Sequence, residues 1–286
     1  MQGWLVVNAF YKNGKLNDIY DMLERSCAKF GMRLDVRTTA DILLPFGAKP
    51  TTLPDFVIFW DKDVVCARML EKAGLPVFNN AQAIELCDNK ILTAEALCDK
   101  VPIPLTIAAP KTFEGVGYNN LTFVERAAET LGLPMVIKEA YGSYGQQVHL
   151  AHTVDRAADI VKGIGWKDFL MQQYIGAHPG IDVRFNVVGD KVTSAMLRHN
   201  QHDFRSNISN GGVGTKFDYT ATQAQVAVDA CKTLGLDFAG VDILLGKDDQ
   251  PYVCEVNSNP HFLSTLAGTG DDVSLHIAEY IANKLN

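Results

Sequence analysis

Two neighbouring apolar segments, 239–245 and 252–257, carry polar side chains that a buried β-strand rarely holds. Asp242 lies in the first segment, within Ala-Gly-Val-Asp-Ile-Leu-Leu, and Glu255 and Asn257 lie in the second. Side chains alternate between the two faces of a strand, so Glu255 and Asn257 point the same way. The Lys-Asp-Asp-Gln sequence between the segments predicts a hairpin turn, which brings Asp242 opposite the other two.

Two carboxylates and an amide oxygen on one half-buried sheet face are costly unless their charge is neutralised. A hard divalent cation is the usual partner, and Mg²⁺ held by a few protein oxygens together with phosphates fits this set best. A single acid in a strand often faces solvent, but here the flanking residues are apolar and the pattern repeats in the next strand. The sequence therefore predicts a metal site formed by Asp242, Glu255 and Asn257.

The composition argues against several other classes of protein. The 286 residues are 47% hydrophobic, which is ordinary for two or three compact units, and the formal net charge of −7 argues against a nucleic-acid partner. The six cysteines show no C-x-x-C spacing, which indicates buried thiols in a reducing cytosol rather than a zinc site. No apolar run reaches membrane-spanning length and no secretory leader is recognisable, so we expect a cytoplasmic protein without membrane contact.

The order of strands and helices indicates a mixed α/β and α+β protein in three parts. The first part alternates strand and helix and predicts a small parallel sheet with right-handed crossovers, with strands at 4–7, 34–37, 56–60 and 76–78. It has no G-x-G-x-x-G sequence, so a dinucleotide site is not expected there. The predicted boundaries are an N-terminal α/β domain at 1–88, a central subdomain at 89–175 and a C-terminal subdomain with the metal site at 176–286.

Two lysines are candidates for binding phosphate. Lys138 ends an apolar strand, and the loop 141–145 that follows it holds two glycines, which let backbone N–H groups approach a ligand closely. Taken alone, such a loop is equally typical of a simple turn. Lys90, in a predicted helix over 81–97, is the second candidate, and its alternative interpretation is an exposed helical lysine.

Three arginines form a candidate anion pocket. Arg184 and Arg198 fall on two predicted neighbouring strands, and Arg205 lies in the polar loop that follows, close to Asn207. Arginine is the planar, always-charged side chain suited to phosphate or carboxylate, and such a cluster in an acidic protein favours anion binding over surface solvation. The strand end at 172–175 is a further candidate, as an edge that offers backbone groups to a purine, and the sequence is equally typical of a plain linker between domains.

Taken together, these segments resemble the ATP-grasp superfamily and, within it, the RimK-type glutamate ligases. The motifs follow the family's order along the chain and are Asn80-Ala-Gln-Ala-Ile, Asp88-Asn-Lys90, Val136-Ile-Lys138-Glu-Ala-Tyr-Gly142-Ser-Tyr-Gly145, Gln172-Gln-Tyr-Ile175, Asp182-Val-Arg184, Phe204-Arg-Ser-Asn207, Ala239-Gly-Val-Asp242-Ile-Leu and Cys254-Glu-Val-Asn257-Ser-Asn-Pro260. The resemblance implies an ATP-grasp fold, in which two α+β subdomains clamp ATP behind a small parallel α/β pre-domain.

The resemblance also implies roles for individual residues. Lys90 and Lys138 would reach the nucleotide phosphates, and the remaining nucleotide contacts would come from Gln173 and Tyr174 at adenine, Asp182 near the ribose, and Arg205, Ser206 and Asn207 beside the nucleotide. Asp242, Glu255 and Asn257 match the family's metal ligands for Mg²⁺, or Mn²⁺ in its place. The chain departs from the family at Gln173, where glutamate is common, and at Gln146-Gln147, where glycine or a small apolar residue is common.

The activity implied is the joining of a carboxylate to an amine at the expense of ATP. The carboxylate attacks the γ-phosphate to give an acylphosphate and ADP, and the amine then displaces phosphate, so the protein mainly positions and neutralises charge. Arg184 and Arg198 would hold the acyl phosphate or the acceptor carboxylate. The implied partners are ATP, glutamate or a similar amino acid, a carboxylate acceptor that is a small molecule or a protein tail, and further copies of the chain in a homo-oligomer.

The sequence leaves two alternative functions open. One is another ATP-grasp enzyme, such as a ligase of the D-alanine–D-alanine type, although Arg-Ser-Asn after an Asp-x-Arg strand favours the RimK branch. The other is a nucleotide-binding regulatory protein without turnover. The chain keeps the full set of predicted site residues, Lys138, Asp242, Glu255 and Asn257, which argues against a protein that has lost turnover.

Overall fold

The computed structural model describes residues 1–11, 14–47, 52–206 and 212–286. Within these ranges the strands form three sheets, one parallel and two antiparallel, in the mixed α/β arrangement expected from the sequence. None of the helices in the described part of the chain has the length and apolar character that crossing a bilayer requires.

The first sheet is parallel and has the strand order β2-β1-β3-β4. Its elements are β1 (Gln2–Val7), α1 (Gly14–Lys29), β2 (Arg33–Thr38), β3 (Phe56–Trp60), α2 (Val64–Lys72) and β4 (Val77–Phe78). Every residue of β3 is buried, because this central strand is covered on both faces and its sequence is uninterruptedly apolar. The small parallel sheet predicted from the sequence is confirmed.

The second sheet is antiparallel, with the order β5-β8-β6-β7. The elements of this part are α3 (Ala81–Asp88), α4 (Lys90–Leu97), β5 (Thr106–Ala108), α5 (Thr122–Leu131), β6 (Met135–Glu139), β7 (Val148–Ala151), α6 (Val154–Ile164) and β8 (Phe169–Gln173). The apolar faces of α5 and α6 pack with the sheet into one hydrophobic core.

The prediction of a single helix over 81–97 is wrong in one respect, because the helix is interrupted at Asn89, between α3 and α4. Asn89 has an extended backbone (φ −105°, ψ 110°), and its side-chain oxygen accepts hydrogen bonds from the backbone N–H groups of Ile91 and Leu92. Asn89 therefore caps the N-terminus of α4, as asparagine does in many helices. Apolar periodicity runs on through the break, so it did not reveal the cap. The break places Lys90 in the first turn of a helix.

The third sheet is antiparallel and has the order β11-β10-β9-β12-β13. Its elements are β9 (Ile181–Val188), β10 (Lys191–His199), β11 (Val213–Lys216), α7 (Ala221–Leu234), β12 (Phe238–Leu245), β13 (Pro251–Asn257), α8 (Leu263–Thr269) and α9 (Val273–Leu285). The predicted hairpin is confirmed: Asp242 of β12 lies opposite Glu255 of β13, and on its other side opposite Arg184 of β9.

The last helix belongs to the core of the first sheet. Ile277, Ala278 and Ile281 of α9 share one buried cluster with Ile19 and Leu23 of α1. The side-chain hydroxyls of the two helices also meet, through a 2.7 Å hydrogen bond between Ser26 and Ser274. The first sheet is therefore completed by residues from the opposite end of the chain, while the domain boundaries suggested by the sequence stay a prediction.

The cysteines are free thiols, and most are buried as predicted. Cys27, Cys66, Cys87 and Cys231 are buried, whereas Cys98 is exposed and Cys254 is half-buried. Cys98 follows the last residue of α4 as its C-cap. Cys254 lies at the shift of register between β12 and β13, on a strand whose buried residues are Pro251, Val253 and Val256.

Candidate active site

A cleft of about 800 Å³ lies between the second and third sheets. Most of the site residues predicted from the sequence line it, namely Lys90, Lys138, Gln173, Tyr174, Asp182, Arg198, Arg205, Ser206, Asp242 and Glu255. Arg184 contacts this set through Asp242, and Asn257 follows Glu255 by two residues on the same strand. Asn207, also predicted for the site, lies outside the described residues.

Lys138 is a buried cation at the end of β6. Only 7% of its surface is exposed. Its ammonium donates to the amide oxygen of Gln172 at 2.7 Å and lies 3.5 Å from the thiol sulfur of Cys254. Among the described residues no carboxylate forms an ion pair with it, so its charge is not compensated within that part of the chain. A buried ammonium in this state favours the binding of an anion.

Lys90 joins the glycine loop to the hairpin. Its ammonium donates to the carbonyl oxygen of Gly142 at 3.0 Å and lies 3.7 Å from Glu255 Oε1. The break at Asn89 produces this position, because Lys90 begins α4 and its backbone N–H donates to the carbonyl of Ala140. The second candidate lysine is therefore partly buried in the cleft rather than exposed on a helix.

Asp242 lies at the centre of a buried network of four charges. Arg184 donates to both of its carboxylate oxygens, and Arg198 donates to Oδ1 at 2.9 Å. Arg198 also donates to both oxygens of Asp182, at 2.6 and 2.5 Å. Burial alone would raise the pKa of Asp242, but the charges and hydrogen bonds of the two arginines outweigh it and lower that pKa. Two positive and two negative side chains thus balance in a site that is almost closed to water.

The hairpin residues fit a hard cation by their donor chemistry. Asp242 and Glu255 lie opposite each other, and Asn257 lies opposite Gly240, to whose carbonyl its side-chain nitrogen donates at 3.5 Å. The amide oxygen is then the end of Asn257 that can bind a cation. An ionised carboxylate offers about four lone-pair sites, so Asp242 can hold its arginines and a cation together. Only oxygens are present in this set, which suits Mg²⁺.

These protein ligands are too few to complete the coordination of Mg²⁺. In the ranges that the structure describes, no group of three or more histidine, cysteine, aspartate or glutamate side chains is placed to hold a metal. Mg²⁺ takes six oxygen ligands in a near-octahedral arrangement and commonly binds through one or two carboxylates plus phosphates. Phosphate oxygens and water would therefore have to supply the remaining ligands.

Arg205 connects the polar loop to the glycine loop. Its guanidinium donates to the carbonyl of Gly145 at 2.7 Å and to the carboxylate of Asp203 at 2.6 Å. The hydrogen bonds from Arg205 hold the pKa of Asp203 below its ordinary value. Ser206, next in the chain, is buried. Asp203 was not predicted, because an acid two residues before an arginine in a polar loop looks like ordinary surface charge.

Gln172 is the main contact that the sequence did not reveal. Sequence reasoning selected Gln173, but Gln172 is the buried one of the two, and it accepts from Lys138 and donates to Thr106 Oγ1 at 2.8 Å. The period of two along β8 contained the signal, because Gln172 and Leu170 lie on one face of the strand and line the same pocket, while Phe169 and Met171 face the hydrophobic core. The polar side chain at an inward position indicated a buried partner.

Gly240 makes room for Arg184. A Cβ atom added at Gly240 would lie 2.9 Å from Arg184 Nη1 and 2.9 Å from Pro260 Cβ. Replacing Gly240 by alanine is therefore expected to displace Arg184 from Asp242 and to lower the free energy of unfolding by about 1–3 kcal/mol. For the Mg²⁺-dependent nucleotide turnover expected from the sequence, it should raise several-fold the Mg²⁺ concentration that gives the half-maximal rate. Urea unfolding and a Mg²⁺ titration measure the two effects.

Gly163→Ala is the matched control, since a Cβ atom at Gly163 in α6 meets nothing within 4 Å. This variant should unfold at the same or a higher urea concentration and keep the Mg²⁺ dependence of the wild type. Equal behaviour of the two alanine variants would show that the contact of Gly240 with Arg184 has no role in the site.

Solved structures define the class of this fold. The RimK domain ATP-grasp protein of Sphaerobacter thermophilus aligns with a TM-score of 0.75 at 21% identity, over 98% of this chain and 99% of that one. The ATP-grasp ligase PsnB, solved with a minimal precursor, Mg and ADP, aligns with a TM-score of 0.72 at 16% identity, over 99% and 97%. The fold is that of the ATP-grasp proteins.

Sequence comparison narrows the class to a family. The RimK-like ATP-grasp domain model matches residues 87–281. Human N-acetylaspartylglutamate synthase A is 35% identical over 82% of this chain and 61% of its own length. Zebrafish (Danio rerio) beta-citrylglutamate synthase B is 35% identical over 79% and 55%, and a probable alpha-L-glutamate ligase of Picosynechococcus is 35% identical over 88% and 78%. The chain belongs to the RimK-like ATP-grasp family, and it spans little more than half the length of the first two relatives.

Proposed function

We propose that this protein is an ATP- and Mg²⁺-dependent ligase that forms an amide bond between a carboxylate and the amine of an amino acid. The observation that carries the proposal is Lys138, an ammonium buried in the cleft without a carboxylate partner in the described structure. A triphosphate supplies the missing negative charge. Lys90 and Arg205, which reach the same glycine loop from two sides, bring further positive charge to that end of the cleft.

The reaction needs positioning and charge neutralisation rather than a nucleophilic side chain. The acceptor carboxylate attacks the γ-phosphate and gives an acylphosphate and ADP; the amine then attacks the acyl carbon, and phosphate leaves. In this proposal Lys90 and Lys138 hold the phosphates, and the rest of the nucleotide contacts Gln173, Tyr174, Asp182, Arg205, Ser206 and, as predicted from the sequence alone, Asn207.

The charged network would serve both the cation and the reacting groups. Asp242, Glu255 and Asn257 would hold Mg²⁺, which when bound neutralises charge on the transferred phosphate. Arg184 and Arg198 would hold the acyl phosphate or the acceptor carboxylate while keeping Asp242 ionised. Because both arginines already contact carboxylates, their guanidinium groups are fixed in orientation before a substrate arrives, which favours a defined geometry.

Glutamate is the proposed amino acid. The names of three relatives support this choice, since each names glutamate as the substrate or as part of the product: alpha-L-glutamate ligase, N-acetylaspartylglutamate synthase and beta-citrylglutamate synthase. The acceptor would be a carboxylate on a small molecule or at a protein tail. A cytoplasmic location, turnover with Mn²⁺ in place of Mg²⁺ and assembly into a homo-oligomer belong to the same proposal.

The nucleotide product tests the reaction directly. The protein is incubated with ATP, Mg²⁺, L-glutamate and a panel of carboxylates that includes citrate and N-acetylaspartate. We expect ADP and phosphate in equal amounts, together with an amide product whose mass equals acceptor plus glutamate minus water. D-Alanine alone serves as the comparison for a ligase of the D-alanine–D-alanine type. Formation of AMP, or ATP binding without nucleotide release under any condition, would contradict the proposal.

A further inference from the structure

Tyr144 of the glycine loop contacts two residues that are far away in the sequence. Its hydroxyl lies 3.3 Å from the hydroxyl of Tyr11 and 3.3 Å from Nε2 of His261, whose ring it also meets edge-on at 6.0 Å. Tyr11 follows β1 of the first sheet, Tyr144 lies between β6 and β7 of the second, and His261 follows β13 of the third. We call these three residues the tyrosine latch. They connect all three sheets at one point.

The backbone of Tyr144 has a conformation that is uncommon for a residue with a side chain. Its φ is +59°, in the left-handed region that side chains rarely adopt, and the nearby Gly142 and Gly145 also have positive φ values. A tyrosine persists in this conformation only where its surroundings hold it, and such residues concentrate at functional sites. Burial raises the pKa of Tyr144 to about 12, so its hydroxyl stays protonated at neutral pH and is able to donate one of the two hydrogen bonds.

The loop that carries Tyr144 lies over the phosphate end of the cleft. Lys90 donates to the carbonyl of Gly142 at 3.0 Å, and Arg205 donates to the carbonyl of Gly145 at 2.7 Å. Both cations are proposed to bind the nucleotide, and on doing so they would exchange a loop carbonyl for a phosphate oxygen. The loop would then lose two of its attachments at the moment when an acylphosphate has to be protected from water. The tyrosine latch does not involve either cation and would persist.

We propose that Tyr144 is a positioning residue that holds the glycine loop closed over the acylphosphate through its contacts with Tyr11 and His261. This inference rests on the proposed function. With the loop closed, the amine attacks the acyl carbon and phosphate leaves. With the loop open, water attacks the acylphosphate instead, which regenerates the carboxylate and releases phosphate and a proton. The net reaction is then ATP plus water giving ADP plus phosphate.

Tyr144→Phe tests the latch, since it keeps the ring and removes only the hydroxyl. We expect the ratio of ADP to amide product, which is one for a coupled ligase, to rise several-fold in this variant. Tyr141→Phe is the matched control: it removes a hydroxyl from the same loop, whose one hydrogen bond within the described residues comes from Asn89 at 3.2 Å. Its ratio should stay at the wild-type value. A ratio of one in Tyr144→Phe would overturn the water-excluding role.

Amide hydrogen exchange of residues 141–147 in the nucleotide-free protein gives a readout that does not depend on turnover. We expect exchange to be several-fold faster in Tyr144→Phe and in Tyr11→Phe than in the wild type, and unchanged in Tyr141→Phe. Unchanged exchange in both latch variants would overturn the structural half of the inference. A wild-type protein that releases no ADP with any acceptor would instead refute the proposed function and the water-excluding role, while the exchange result would still decide whether Tyr144 holds the loop.

Discussion

Replacing Lys138 by methionine is expected to abolish the stabilisation of the protein by ATP while leaving the nucleotide-free protein at least as stable as the wild type. Methionine is similar in length and apolar, so it removes a buried ammonium that donates only to an amide and a thiol in the described structure. Relief of that burial is expected to raise the free energy of unfolding by on the order of 1 kcal/mol. Loss of the charge at the phosphates should lower nucleotide turnover by about 10²-fold or more.

Thermal unfolding with and without ATP and Mg²⁺ measures the stability of the nucleotide-free protein and its stabilisation by ATP in one experiment. Lys111→Met is the control, because Lys111 follows β5 of the sheet that carries Lys138 but is exposed and pairs with Asp168 at 3.2 Å. It should keep the ATP-induced rise in melting temperature. If Lys138→Met retained that rise, or unfolded at a clearly lower temperature than the wild type without nucleotide, the assignment of Lys138 to the phosphates would be wrong.

Replacing Asp242 by asparagine is expected to abolish turnover and to lower the free energy of unfolding by about 3–5 kcal/mol. The change removes the charge that both Arg184 and Arg198 face: it leaves the nearly buried guanidinium of Arg184 without its carboxylate and that of Arg198 with Asp182 alone. Glu255→Gln is the comparison, because the Glu255 side chain is one third exposed (33%) and its nearest cation lies 3.7 Å away. It should also abolish turnover, but with little change in urea unfolding.

The pH dependence of unfolding separates the charge of Asp242 from its shape. The pKa of Asp242 is lowered in the folded protein, so its contribution to stability is fully present above its unfolded pKa of about 3.9 and is lost as the pH falls through the lowered folded value. The difference in unfolding free energy between the wild type and Asp242→Asn should therefore be constant near neutral pH and shrink in acid below about pH 4. A difference independent of pH would show that the two arginines do not act on an ionised Asp242.

The strand pairing at the site was predictable from short-range patterns. Alternation along two apolar segments placed Glu255 and Asn257 on one face, and the turn residues between the segments brought Asp242 across from this pair, where the structure has it opposite Glu255. Arg184 and Arg198 were expected on neighbouring strands for the same reason, and β9 and β10 are paired as expected. These features depend on residues that are close in the sequence, which a reading of pattern and turn chemistry can connect.

The partners of the charged groups were not predictable in the same way. Arg198 bridges Asp182 and Asp242 only in one register of three strands. A shift of one residue in any of these strands would separate the guanidinium from a carboxylate. The contact of Lys138 with Gln172 likewise needs the pairing of β6 with β8, which are separated by a strand and a helix in the chain. The break at Asn89 was hidden because its cap bonds involve a side chain, to which apolar periodicity is insensitive.

The packing of α9 against α1 has a consequence for the order in which the chain can fold. Residues after 273 bury the apolar face of the helix that follows the very first strand. During synthesis, which adds roughly 5–20 residues per second, that face stays uncovered until the ribosome has translated the residues after 273. The second sheet can meanwhile close its own core with α5 and α6, so the first sheet is expected to complete its core after the second.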